Sequence, residues 1–320
     1  MRPSTPFAGA ETSTTSPLVW WRLEMTCPAE LEESLLWKLP RLGITRLAVH
    51  HVLETPGDRR LLAWLPEIDW PPLQREELQR ALEPLAQPFH LQLPPLQWHR
   101  QPDEDWSLSW KMQWSPDPVG RSFLILPAWM DPPPDAGERH VVRIDPGSAF
   151  GTGSHPTTRL CLEAMEGMDL HGVPVADLGC GSGILSIAAL RLGAGSVAAC
   201  DTDSLAVRAS VENGRINGLE GSIQVVLGSV EALAPILRGC RARLLLCNIR
   251  AAVIEALSPH FHSVLAPDGL GLLSGLLVEQ AKDLEKVLAA AGWQAELARS
   301  EGAWGLMVIR TVGMMFHKTH

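Results

Sequence analysis

The sequence predicts an α/β protein: a doubly wound, mostly parallel sheet preceded by a small α+β domain. Three observations carry that prediction. From Phe123 onward short apolar runs alternate with amphipathic segments, the pattern of parallel strands covered on both faces. A glycine-rich turn follows one of these runs, where a strand enters a helix. Composition also shifts along the chain, since ten of the twelve tryptophans precede residue 130 and the glycines concentrate after it.

A length of 320 residues fits two domains at about 150 residues each. Hydrophobic residues make up 46% of the chain, enough for a sizeable core, and 27 glycines with 26 prolines are too few for a low-complexity chain. A net charge of −9 argues against generic binding of nucleic acid and leaves a basic protein open as partner. The most apolar stretch, Ile184 to Cys200, is broken by Arg191, so no membrane span is expected. Cys27, Cys161, Cys180, Cys200, Cys240 and Cys247 form no CxxC pair. That spacing predicts neither a metal site nor a disulfide framework, but buried thiols in a reducing, cytoplasmic setting.

Residues 1–16 are rich in Ser, Thr and Pro without an apolar segment, and read as a disordered tail. Leu18–Thr26 is an extended apolar stretch. Glu30–Leu39 is helical, with Leu31, Leu35, Leu36 and Leu39 on one face. Ile44–Leu53 and Arg60–Leu65 read as a strand pair around the turn Thr55-Pro-Gly-Asp58. Leu73–Ala86 is a second helix, and Phe89–Trp98 a last strand interrupted by Pro94-Pro95. This β-α-β-β-α-β order over residues 17–101 fits a ferredoxin-like domain suited to substrate recognition. Residues 102–115 read as a linker helix. Its acidic start, Asp103-Glu-Asp105, suits the positive end of the dipole, and Trp106, Trp110 and Trp114 share a face that packs on a domain. Pro116 and Pro118 end it. The α/β domain covers 116–312, followed by a short tail, 313–320. Its strands are Val173–Leu178, Ser196–Asp201, Ser222–Leu227, Arg243–Asn248 and Leu270–Ser274. Its helices are Gly183–Leu192, Ser204–Asn217, Ala251–Leu265 and Glu279–Ala291.

Three motifs carry chemistry. In Val175-Ala-Asp-Leu-Gly-Cys-Gly-Ser-Gly-Ile-Leu185 the glycines, Gly179 and Gly181 among them, permit positive φ and close approach of the backbone to a ligand. Asp201 closes the next strand 22 residues after Gly179, where a carboxylate takes two ribose hydroxyls. The spacing is GxGxG rather than GxGxxG, and Asp177 precedes the turn. A carboxylate there repels a pyrophosphate and suits a cation, which disfavours an NAD-dependent oxidoreductase. S-adenosyl-L-methionine, with a sulfonium, an ammonium and a ribose diol, has the matching chemistry. The second motif, Asp145-Pro-Gly-Ser-Ala-Phe-Gly-Thr-Gly-Ser-His-Pro-Thr-Thr-Arg159, is a rigid loop leading into a helix at Pro156-Thr157-Thr158. Its His155 is either a general base or, the reading we favour, a loop-fixing residue. In the third, Asn248 ends a strand at the carboxyl edge, where its amide oxygen can accept from an amine.

Taken together, Leu126–Trp129, Asp145–Arg159, Asp177–Leu185, Asp201–Asn217 and Asn248-Ile249 resemble the PrmA-type ribosomal protein methyltransferases, which modify the large-subunit protein L11. The likeness extends to Asp103-Glu-Asp-Trp106 and Gly302-Ala-Trp304, so it covers about residues 102–310. It implies a Rossmann-like class I methyltransferase domain after a substrate-recognition domain and a helical linker. It also implies cofactor contacts at Thr158, Gly179, Asp201 and Asn248. Arg250 departs from the apolar residue usual after Asn-Ile in that family, and the first domain matches by layout more than by residues.

The reaction implied is in-line methyl transfer from the sulfonium to a neutral amine, a lysine side chain or an N-terminal α-amine. Neutralising a free lysine at pH 7 costs roughly 4.6 kcal/mol, against about 1 kcal/mol for an α-amine. Desolvation and alignment must supply that difference, with Asn248 orienting the amine and no residue committed as general base. L11 is the expected partner, without nucleic acid or membrane, for a monomeric enzyme. Other readings are methylation of another protein or a small amine, and a non-catalytic module that binds a ribosomal protein. Base methylation is weaker, because Ile249-Arg-Ala251 offers no aromatic on which a flipped base would stack.

Overall fold

The computed structural model describes residues 19–44, 46–51, 59–101, 114–134, 136–145 and 153–312. Both expected tails, the turn at 55–58, most of the linker helix with Trp106 and Trp110, and positions 146–152 of the second motif lie outside those residues. The chain divides into two compact units, Met1–Cys27 with Arg46–Gln113, and Pro28–Thr45 with Trp114–His320.

The elements begin with β1 (Trp20–Thr26), α1 (Ala29–Arg41), β2 (Leu47–His51), β3 (Arg59–Pro66), α2 (Pro72–Leu82) and β4 (Gln97–Gln101). All but α1 fall in the first unit. Its sheet runs β2-β3-β1-β4 with antiparallel neighbours, and Leu23 at its centre lies opposite Ala63 and Trp98. Proline opens α2, where its missing N–H costs nothing. The Arg75 guanidinium of that helix lies over the rings of Trp21 at 4.4 Å and Trp98 at 5.5 Å. Two expectations shift here, both because of proline. The helix expected to reach Ala86 stops at Leu82 and tightens into a 3-10 turn around Pro84. The strand expected from Phe89 starts only at Gln97, since Pro94 and Pro95 have no N–H to give a ladder.

In the second unit, β5 (Asp117–Val119), β6 (Phe123–Pro127) and β7 (His140–Ile144) form a small three-stranded sheet. Then come α3 (Pro156–Met165), β8 (Pro174–Leu178), α4 (Ile184–Arg191), β9 (Ser196–Asp201), α5 (Ser204–Ile216) and β10 (Ile223–Leu227). The chain continues through α6 (Val230–Ile236), β11 (Ala242–Asn248), α7 (Ala251–Leu257), β12 (Leu265–Leu277), α8 (Ala281–Ala290), β13 (Trp293–Glu301) and β14 (Trp304–Thr311). The main sheet has seven strands in the order β10-β9-β8-β11-β12-β14-β13. The first five are parallel, and β14 runs antiparallel to both its neighbours.

Each parallel strand feeds two cores by alternation. Val175, Val197, Ala199, Leu244 and Leu246 enter one apolar cluster with Leu160, Ile187 and Phe123. Ala176, Leu178, Ala198, Cys200, Leu245 and Cys247 enter the other with Leu233, Ile254 and Leu284. Burial on both faces is why these strands read as unbroken apolar runs. Five of the six cysteines are buried thiols, and Cys240 is exposed. Among the described residues no helix is long and apolar enough to cross a membrane.

Three differences from expectation have local causes. Pro259 cuts the helix from Ala251 short at Leu257, and a 3-10 segment, Ser258–Ser263, follows. The strand expected at Leu270–Ser274 extends over Leu265–Leu277. The segments α6, β5, β7 and β13 have too short or too polar a pattern to announce themselves, while β6 and β14, apolar over Phe123–Leu126 and Leu306–Ile309, are further strands outside the expected set. In β13 only Trp293 is fully buried among nine residues, because it is the sheet's edge.

Candidate functional site

The parallel register brings the carboxyl ends of β8, β9 and β11 to one edge, where ligands of open α/β sheets bind. Leu178 lies opposite both Cys200 and Cys247, so Gly179, Asp201 and Asn248 all follow at the same level. The turn after β8 uses left-handed backbone at Gly179 (φ 74°), Gly181 (φ 55°) and Gly183 (φ 80°), which only glycine adopts without strain. The Gly179 and Cys180 N–H groups donate to the Cys200 carbonyl at 2.9 and 3.0 Å, clamping the turn to the end of β9. A side chain at Gly179 would drive into Ile249 Cγ2, so this glycine also makes room for the residue after Asn248.

Two carboxylates sit behind and beside the turn. Asp177, 1% exposed, accepts the Ser186 hydroxyl at 2.6 Å, and burial pushes its carboxyl up to about 7. Asp201 accepts N–H groups from Gly181 at 3.0 Å and Asp203 at 2.9 Å. Burial raises its carboxyl too, against the opposing pull of the Gly181 and Thr202 backbone N–H groups and of Arg41. Asp203 caps α5 through the Leu205 N–H and pairs with the Arg41 guanidinium. One buried and one half-buried acid at a strand edge suit a ligand that brings a cation and hydroxyl donors. A sulfonium nucleoside with an amino-acid tail has that donor and charge set.

Asn248 and Thr158, 90 positions apart in sequence, meet at the same edge, with Asn248 Nδ2 donating to Thr158 Oγ1 at 3.3 Å. Thr158 sits in the first turn of α3, and His155 is the N-cap of that helix. Its Nδ1 accepts the Thr157 N–H at 3.2 Å and contacts the Thr157 hydroxyl at 2.8 Å. Accepting at Nδ1 places the ring proton on Nε2. The ring is buried and packs edge-on against Trp304 at 4.7 Å. His155 thus fixes the loop-to-helix junction, the role favoured over that of a base. Arg250 is the exposed N-cap residue of α7 and makes no side-chain cap.

Four groups not singled out from the sequence also shape this edge. Glu32 and Glu33 of α1 are buried, at 0% and 6% exposed. Glu32 accepts the Ser154 hydroxyl at 2.5 Å, and Glu33 accepts the Thr158 hydroxyl at 3.4 Å. The signal in the sequence is a pair of acids beside the Leu31, Leu35, Leu36 and Leu39 stripe, where a solvated face is not available to them. Asn213 bridges Ser182 O and the Asp145 N–H, each at 2.9 Å, and thereby joins the glycine turn to the start of the second motif. Asn217 exchanges two hydrogen bonds with the backbone of Arg143, at 3.0 and 2.7 Å. Both asparagines lie inside helical pattern, where polar residues usually face solvent. Among the described residues no group of three or more His, Cys, Asp or Glu side chains forms a candidate metal site.

Comparison with known proteins agrees with this geometry. The family model described as ribosomal protein L11 methyltransferase (PrmA) matches residues 19–311. A protein named ribosomal protein L11 methyltransferase from Parasynechococcus marenigrum (strain WH8102) is 60% identical over 287 residues, 89% of this chain and 99% of that one. Another of that name, from Synechococcus sp. (strain RCC307), is 57% identical over 291 residues, 91% of this chain and 97% of its own length. Among solved structures, a ribosomal protein L11 methylase from Lactobacillus delbrueckii subsp. bulgaricus is similar, with 33% identity and a TM-score of 0.56. It covers 62% of this chain and 99% of its own.

Proposed function

The chain belongs to the ribosomal protein L11 methyltransferase (PrmA) family, and on that premise we propose that it methylates amines of ribosomal protein L11, using S-adenosyl-L-methionine. The observation that carries the site assignment is the meeting of Thr158 and Asn248 beside the Gly179–Gly181 turn and Asp201. Gly179, Gly181, Thr158, Asp201 and Asn248 hold the cofactor in this reading, with Asp201 on the ribose diol and the glycine turn beneath it. The bound cofactor supplies an electrophilic methyl group. The protein's own part is to orient the amine, exclude water and take the amine in its neutral form. Neutralising a lysine at pH 7 costs roughly 4.6 kcal/mol, and a partly desolvated site whose acids are already matched by the cofactor's positive charge disfavours a second cation and lowers that cost. Asn248 is the catalytic residue: its amide oxygen accepts from the acceptor amine and aims the nitrogen lone pair at the methyl.

The small first domain is read as ferredoxin-like over residues 17–101, with 102–115 as linker and 116–312 as the methyltransferase domain. The strand order β2-β3-β1-β4 with all neighbours antiparallel supports that reading. Recognition of L11 is assigned to this domain, and lysine side chains or the α-amine are the acceptors, in a monomeric cytoplasmic enzyme.

The test is intact-mass spectrometry of purified L11 incubated with the protein and S-adenosyl-L-methionine. Mass gains in single-methyl steps that need both cofactor and enzyme are expected. Asn248→Ala should slow methylation on the order of 100-fold, the scale for losing one orienting contact in a transition state, while thermal melting stays unchanged. Cofactor binding without any mass gain would leave the fold assignment standing and turn attention to another protein, a small amine or a binding role.

A further inference from the structure

Glu33 has no part in the mechanism above, yet the structure ties it to the residue at its centre. It is 6% exposed, although a carboxylate is a costly group to bury. Its surroundings are the neighbouring Glu32, His155 Nδ1 at 3.6 Å, the Cys161 thiol and the Thr158 hydroxyl. Burial, reinforced by Glu32, pushes the Glu33 carboxyl well above the usual carboxylate range, and the Thr158 hydroxyl opposes that. Groups perturbed in this way concentrate at working sites.

The chemistry of the chain Glu33–Thr158–Asn248 is restrictive. A threonine hydroxyl has one proton to donate. Thr158 gives it to Glu33 Oε1 at 3.4 Å, which accepts whether the carboxyl is ionised or holds its proton on Oε2, so toward Asn248 the Thr158 oxygen only accepts. Asn248 must therefore present Nδ2 to Thr158, as it does at 3.3 Å, and Oδ1 is turned the other way. With no acceptor at position 33, the hydroxyl proton could go to Asn248 Oδ1, and the amide could flip.

We propose that Glu33 is a positioning residue for methyl transfer: by taking the Thr158 proton it sets which end of the Asn248 amide faces the acceptor amine. This rests on the reading of Asn248 given above. Helix α1 thereby contributes to the site from a point 125 residues upstream of Thr158.

The test measures kcat and KM for L11 and for cofactor with Glu33→Gln, Glu33→Leu and Glu33→Met, each also combined with Asn248→Ala. Slow variants are followed by intact mass at excess enzyme, and melting curves confirm folding. Glutamine keeps a carbonyl acceptor at nearly the same place, whereas leucine and methionine remove it. The expected result is a kcat lowered about tenfold by the apolar variants, as for one lost hydrogen bond, with kcat falling by more than the KM for cofactor rises. Glutamine should hold kcat within about threefold of the parent. In the Asn248→Ala background the apolar variants should add no further loss. An unchanged kcat in a folded apolar variant overturns the proposal. So does a glutamine variant as slow as leucine, or a full tenfold loss repeated without Asn248. Full activity of Asn248→Ala alone would instead overturn the reading of Asn248, so the two failures are distinguishable.

Discussion

Replacing Asp177 by asparagine tests the electrostatics of the glycine turn without touching its backbone. In the folded protein the Asp177 carboxyl keeps its proton up to about pH 7, because it is buried and the Ser186 bond offsets only part of that burial. In the unfolded chain it loses the proton near 3.9. Between those values the unfolded state binds fewer protons than the folded one, so stability falls as pH rises. The penalty is absent below about pH 4, grows through the interval and is complete above about pH 7. The gap between the ordinary 3.8 and about 7 corresponds to about 4 kcal/mol, an order-of-magnitude figure. Asparagine has nearly the same shape, carries no charge at any pH and can still accept from Ser186. Urea unfolding of the ligand-free protein should therefore show Asp177→Asn gaining on the parent steadily from pH 4.5 to 8. Asp201, also raised by burial, contributes in the same sense to both proteins, so the growing difference between the two curves comes from Asp177 together with its repulsion by Asp201. Parallel curves with no growing gap would refute the argument and mean that Asp177 is ionised and well solvated in the fold.

Three further substitutions test the scaffold of the site and its control. Gly179→Ala meets both a positive φ, at about 1–2 kcal/mol, and the Ile249 side chain, so urea unfolding should show a loss of about 2–4 kcal/mol. Gly218→Ala, at φ 68° with nothing within 4 Å, should lose only about 1–2 kcal/mol and serves as the strain-only control. Asn217→Ala strands the backbone groups of Arg143 that its side chain serves, and should cost about 1–3 kcal/mol in the same assay, with L11 methylation retained in the folded fraction.

Much of the α/β unit was legible because burial on both faces leaves a strong mark: Val175–Leu178 and Leu244–Cys247 are apolar at nearly every position, and both are strands of the parallel core. The glycine turn, Asp201 and Asn248 were legible for a different reason, since each stands at a strand end where a break in the apolar run draws attention. What escaped notice is equally physical. The edge strand β13 turns most of its side chains to solvent and so resembles loop sequence. Proline-governed ends, at Pro84, Pro94 and Pro259, are set by a single missing N–H that a periodicity count does not weigh. Glu32, Glu33 and Asn213 sit in helices whose pattern is decided by leucines and alanines, and Asn217 is the C-cap of one of them. Their role depends on partners 31 to 125 residues away, and no local window contains both halves of such a contact.

The reversal of β14 has a consequence in time as well as in space. Because it runs against the parallel strands, its first residue rather than its last reaches the carboxyl edge, pairing Trp304 with Leu277 and setting the indole against His155. The histidine that opens α3 and the reversed strand thus meet across 149 residues of sequence, so the junction that carries Thr158 is complete only once β14 has joined the sheet.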